Sequence, residues 1–251
     1  MGSMQALGCS CVTALGLERL RYFSRQLLSA DDMRVEQEYF REKLRRHNRF
    51  LHGWGVVSGL LVVVDAKSGP LALSICPGYA LGPCGDEIYV SEPASFDLLP
   101  TVQRLAQPSC AHPEAPGALE SGSWAIEIRY AECQTRPVRT MPAGCGCDDS
   151  ACEFSRIRDG FEVRATRKKE VAGEPDPASL CEIEGDVAKY MPPFVARPTS
   201  DWIELAAVEV HLSAGGNADP LSPQSIDNST RRVLYSTAQI QAQLIASCCE
   251  M

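Results

Sequence analysis

The chain has 251 residues, 45% of them hydrophobic and 22% charged, with a net charge of −8. That length and apolar content suit one large domain or two small ones around a sizeable core. The acidic balance argues against general nucleic-acid binding, which needs a basic surface, and no run of about 18 apolar residues offers a membrane span.

Residues 1–17 are small and apolar and read as an N-terminal arm. They lack the charged-then-apolar pattern of a secretory signal. Met1-Gly2 is followed by Ala6, where myristoylation needs Ser or Thr. The expected location is the cytoplasm, with exit from the cell only inside a larger particle. Without a signal, the twelve cysteines read as reduced thiols or metal ligands before disulfides.

A helix is predicted from Ala30 to about Phe50. Ser29-Ala30-Asp31-Asp32 opens it as a capping box, with Asp32 in the place usual for Glu. Met33, Phe40, Leu44, His47 and Leu51 recur at roughly helical spacing, with Gln37 as the polar gap. The opposite face carries Arg41, Arg45, Arg46 and Arg49. That basic face is either solvated or paired with acidic patches on a neighbour. His47 and His52 read as core or hydrogen-bonding histidines, because a five-residue gap does not align two ligands on one face. Gly53 and Gly55, around Trp54, end the helix.

The apolar stretch from Val56 to Val64 reads as one buried strand. Ala66 to Pro70 is a turn, Leu71 to Ile75 a second strand and Glu87 to Val90 a third. Pro77-Gly78 and Gly82-Pro83-Cys84-Gly85 bracket a tight connection. Cys76 and Cys84 flank it, bonded to each other or simply buried. Trp124 to Tyr130 and Phe161 to Ala165 alternate as half-buried strands should. Trp202 to Leu212 is a further strand. A short helix near Leu180 to Tyr190 and a C-terminal helix from Ser236 to Cys248 complete the set. Asp227 to Arg232 reads as a turn followed by an anchored segment.

The fold class is therefore α+β: a long N-terminal helix leads into a small β unit. A mainly β domain with a cysteine-rich loop and a C-terminal helix follows. The expected divisions are an arm at 1–17, a helix and β-hairpin docking module at 18–100, a linker at 101–123 and the mainly β domain at 124–251.

The cysteine-rich loop is expected at 133–153, with Cys133 at the end of a strand. Cys145-Gly146-Cys147-Asp148-Asp149-Ser150-Ala151-Cys152 packs three thiols into a short stretch. Cys133, Cys145, Cys147 and Cys152 make a four-sulfur set suited to structural zinc, which closes a tetrahedral site and can replace a missing core. Cys110, His112 or Cys181 are alternative fourth ligands. Disulfides and free thiols are the competing readings.

No nucleophile elbow, phosphate loop or HExxH pair is present in the sequence. The block FxxQLLSADDMxxEQxYFRxKLRRHNRxLHGWGVVSGL, Phe23 to Leu60, is similar to proteins found with contractile injection systems, the phage-tail-like particles of bacteria. So are PGYALGPCGDEI (Pro77 to Ile88), CxxxxCExSRIRDGF (Cys147 to Phe161) and WIELAAVEV (Trp202 to Val210). The resemblance implies a non-catalytic structural subunit of a baseplate, tail or fibre-attachment region. Its partners would be the other subunits, in a homo-oligomer or a hetero-assembly. Arg41, Arg45, Arg46, Arg49 and Trp54 are the expected docking residues. Two other readings compete. One is a zinc-dependent enzyme using the cysteine loop with His112 or His211. The other is a carbohydrate- or surface-binding module with Trp124, Trp202 and Tyr130 as its platform.

Overall fold

The computed structural model describes residues 16–98, 121–139, 152–168, 200–211 and 219–249. The architecture is mixed α+β with strands in the majority. The expected helix near Leu180 lies outside the described residues, as do most of the expected arm and linker.

Helix α1 spans Ala30–His47 and runs directly into a π turn at Asn48–His52. Its start follows the sequence. The Asp32 N–H donates to Ser29 Oγ at 3.1 Å, and the Ser29 N–H donates to Asp32 Oδ2 at 2.8 Å. Two of the orphan amide groups of the first turn are thereby satisfied.

The predicted strand from Val56 to Val64 is broken in two. Strand β1 (Gly55–Gly59) and β2 (Val62–Val64) meet at Gly59 and Leu60, whose φ angles are +61° and +54°. A Cβ on Gly59 would lie 2.1 Å from the Pro77 carbonyl oxygen, so only glycine fits there. Leu60 carries the left-handed strain and is fully buried, which offsets it. The break sends the two halves into different antiparallel sheets. β1 pairs with β4 (Gly78–Leu81), which pairs with β5 (Glu87–Val90). β2 pairs with β3 (Ala72–Ile75), which pairs with β6 (Ala94–Asp97). Cys76 is a half-buried free thiol and Cys84 is buried.

The largest sheet has the order β10-β9-β7-β8, formed by β7 (Gly122–Arg139), β8 (Cys152–Arg167), β9 (Ile203–Val210) and β10 (Ile226–Asp227). β7 and β8 pair from Trp124↔Arg167 to Arg139↔Cys152. Their outer halves are exposed, so a two-stranded ribbon extends beyond the core. The expected loop at 133–153 is thus mostly strand at its ends, and Cys133 sits within β7.

One hydrophobic cluster joins the three sheets. It includes Val56, Leu60, Leu73, Ile75 and Ile88 from the smaller sheets and their links, and Ile126, Ile128, Leu205 and Val208 from the large one. The segment after β10 ties the two regions together. Asn228 Nδ2 donates to the Val62 carbonyl and the Val62 N–H donates to Asn228 Oδ1, both at 3.0 Å. The Val56 N–H donates to the Arg232 carbonyl at 2.8 Å, and the Leu234 N–H returns to the Val56 carbonyl at 2.8 Å. Helix α2, Thr237–Cys249, follows. No helix among the described residues is long and apolar enough to cross a membrane.

Candidate functional site

The unusual feature is how α1 sits on the β body. The helix buries none of its residues, yet it is fixed at its C-terminal end by polar contacts. Arg45 Nε donates to Asp86 Oδ1 at 2.6 Å and its Nη1 to Glu42 Oε1 at 2.6 Å. Burial works against the Arg45 charge, but Glu42 and Asp86 outweigh it and push the guanidinium further above its ordinary value. Asn48 is buried and its Nδ2 donates to the Gly85 carbonyl at 2.9 Å. Gly85 has φ +92°, and a Cβ there would lie 2.2 Å from the Arg45 carbonyl oxygen. The glycine turn at 82–85 is therefore a seat cut for the helix backbone. Further along, Arg41 is ion-paired with Glu132 on β7 and with Glu38.

These contacts use the charged face. The apolar stripe points away from the body: Met33 is 46% exposed, Phe40 59%, Leu44 50% and Leu51 69%. Read along the helix, Met33, Gln37, Phe40, Leu44 and His47 step alternately by four and three, and Leu51 follows in the π turn. That 3.5-residue rhythm forms a seam fit for another helix. Phe23 and Leu27, just upstream, are exposed too.

The five expected docking residues divide as follows. Arg41 and Arg45 are engaged with the protein's own carboxylates. Arg49 lies over the Phe50 ring, 4.7 Å from its centre, and its Nε is buried with no partner among the described residues. Trp54 is half-buried under the Arg232 guanidinium, 4.3 Å from the ring centre, and its carbonyl accepts from Arg232 Nε at 3.0 Å. Arg46 is exposed. The structure brings Arg41 and Arg45 onto one face with Asn48. The apolar side of α1 is the side left open.

The reading of His47 and His52 is corrected. Both rings are exposed, not buried in a core. Within the π turn the Gly53 N–H donates to the Asn48 carbonyl, an i+5 to i bond at 3.0 Å. That wider turn brings the five-residue pair together, with ring centres 5.3 Å apart. Spacing rules for an ordinary α-helix hid this.

Cys133 is opposite Arg158 on the ribbon, whereas Cys152 is opposite Arg139. The six-residue offset amounts to roughly 20 Å along the strands, far more than one zinc ion spans, so the structure does not bring these two thiols together. Cys145 and Cys147 lie outside the described residues, as do Cys110, His112 and Cys181. No group of three or more metal-binding side chains occurs among the described residues. Of the possible platform residues, Trp124 is buried. Trp202 is covered by Arg129 and Arg164, 4.6 and 4.0 Å from its ring centre. The Tyr130 hydroxyl meets Asp159 at 2.7 Å and Glu132 at 3.0 Å. Burial, then the hydrogen bond to Asp159, drives its pKa well above the ordinary value.

Neither a protein-family model nor a curated protein matches the chain. Among solved structures it is similar to a chain of the type VI secretion system TssK-TssF-TssG baseplate subcomplex, at 12% identity and a TM-score of 0.37. The alignment covers 82% of this chain and 61% of that one, under two thirds of the neighbour's length. Likeness at that level does not define a common fold.

Proposed function

We propose that the chain is a non-catalytic structural subunit that acts by docking other proteins. The open seam of α1 is the observation that carries this reading. Met33, Phe40 and Leu44 of the helix, and Leu51 in the π turn after it, are turned to solvent, while the helix is held in place by its polar face. Burying the exposed remainder of each such side chain contributes roughly 1 kcal/mol, before the cost of association. A partner helix or groove laid along the seam would gain all four contributions together.

The finer assignment rests on the residues of the Phe23–Leu60 block. It is a subunit of a phage-tail-like contractile injection particle, in the baseplate, tail or fibre-attachment region. The block that resembles such proteins contains both the open seam and the contacts, Arg45 and Asn48, that fix the helix. The subunit is made in the cytoplasm and joins the other particle subunits there.

Phe40→Glu and Leu44→Glu test the reading. Both side chains are about half exposed, so the isolated chain should keep its unfolding midpoint while losing incorporation into the particle. A lone monomer with no affinity for baseplate or sheath proteins would refute the assignment. So would catalytic turnover that vanishes on changing one polar side chain.

A further inference from the structure

We propose that His47 and His52 form a two-imidazole site for a divalent transition cation of the zinc, nickel or copper class, with the remaining coordination positions open to water. His47 also lies on the docking seam, but the site is argued from its two imidazoles and not from that seam, and nothing about the cysteine loop enters it.

The geometry comes from the π turn. In an α-helix, residues five apart diverge around the axis; with the i+5 hydrogen bond from Gly53 to Asn48 they come to neighbouring positions. The two ring centres are 5.3 Å apart, with the planes inclined at 62°. Two imidazoles on one tetrahedral ion have centres roughly 5.2 Å apart, given a metal–nitrogen distance of about 2.0–2.1 Å. The two rings therefore already sit at the separation that chelation needs. Aiming one nitrogen of each ring at a shared ion takes side-chain rotation, and the second torsion is broad and soft for histidine. Both rings face solvent, and neither has a hydrogen-bond or ion-pair partner among the described residues.

The electrostatics are mixed, with one source offset. Arg45, two residues before His47, is neutralised by Glu42 and Asp86, while Arg46 stays exposed and Arg49 lies over the Phe50 ring. The carbonyl end of α1 adds partial negative charge beside the rings, which favours a cation. Imidazole nitrogens are borderline ligands suited to zinc, copper and nickel and poorly suited to magnesium or calcium.

The test is a calorimetric titration of the full-length chain with nickel(II), its thiols first blocked with N-ethylmaleimide so that cysteine cannot bind. One equivalent should bind with a micromolar dissociation constant. His47→Gln and His52→Gln should each weaken it at least tenfold, and His211→Gln should leave it unchanged. Magnesium should give no heat of binding. Both substituted side chains are exposed, so far-UV circular dichroism should match the parent. Failure of nickel to bind below millimolar concentration overturns the site. Binding that survives both substitutions overturns it equally.

Discussion

Gly85→Ala probes how α1 is held, because the Gly85 turn lies against the Arg45 backbone and its carbonyl accepts from Asn48. At φ +92° an alanine pays about 1–2 kcal/mol for its left-handed conformation. The added methyl would lie 2.2 Å from the Arg45 carbonyl oxygen and 2.8 Å from the Arg45 Cα and carbonyl carbon. These are backbone atoms, so the clash cannot be relieved by a side-chain rotation. The helix must retreat by roughly 1 Å to reach ordinary contact. That movement breaks the 2.9 Å bond from Asn48 to the Gly85 carbonyl and strains the 2.6 Å bond from Arg45 to Asp86. Losing the buried Asn48 bond costs a further ~1–3 kcal/mol.

Because α1 buries no side chain of its own, this cost should appear as local undocking and not as global unfolding. Hydrogen exchange measured by NMR or mass spectrometry separates the two. A local loss of about 2 kcal/mol would accelerate exchange across α1 by roughly 30-fold. Amides of β7 and β9 should keep their protection. If the strands lose protection in step with the helix, the helix is an integral part of the core and the inference of a separately seated α1 is wrong.

Three further outcomes follow from the same contacts. Ile126→Ala, at a fully buried position in the central strand of the large sheet, should lower global stability by about 2–5 kcal/mol in denaturant unfolding. Asn228→Ala removes both partners of the Val62 peptide group and should cost about 1–3 kcal/mol, read in the same assay. The hydrogen bond from the Ser29 hydroxyl, followed by that from the Ser29 backbone N–H, holds the Asp32 carboxyl below its ordinary pKa of 3.8. A depressed folded pKa stabilises above the unfolded value and is lost as pH falls through the folded one. The helical signal of α1 should therefore hold at neutral pH and decline only below about pH 3.8, with that decline missing from the difference spectrum of Asp32→Asn.

The elements with a local chemical signature were legible in the sequence. Ser29 and Asp32 set the start of α1 through their own hydrogen bonds. The alternation at Trp124–Tyr130 and at Phe161–Ala165 marked strands of the large sheet, and the Trp202–Leu212 stretch read as another. Other features depend on contacts distant in sequence. Nothing near Gly59 announces that the Pro77 carbonyl will pass over it, so the apolar run to Val64 read as one strand. The length of β7 and β8 comes from their pairing with each other, which carries strand through Cys133 and Arg158 in spite of polar side chains. The stripe on α1 was visible, but periodicity gives a face and not its partner. Which side faces the body was decided by Gly85 and Asp86, some forty residues away.

The inverted seating of α1 joins stability to function. Helices on globular proteins are normally held by their apolar side, which spends that surface on folding. Here the fixing contacts are the buried Asn48 amide, the Arg45–Asp86 and Arg41–Glu132 pairs and the close approach at Gly85. Polar contacts contribute less per residue than burial does, but they are directional, so the helix is oriented without consuming its hydrophobic stripe. An isolated 18-residue helix would be marginal in water; tied at its C-terminal end, it presents its seam in one orientation, and a partner has less disorder to overcome on binding. Severing the Arg45–Asp86 pair by Asp86→Asn should therefore weaken partner binding while every apolar seam residue stays in place. The assay is affinity for the particle subunits, compared with that of Leu44→Glu. If Asp86→Asn binds as tightly as the parent and only Leu44→Glu fails, the apolar stripe suffices by itself, and the polar seat plays no part in recognition.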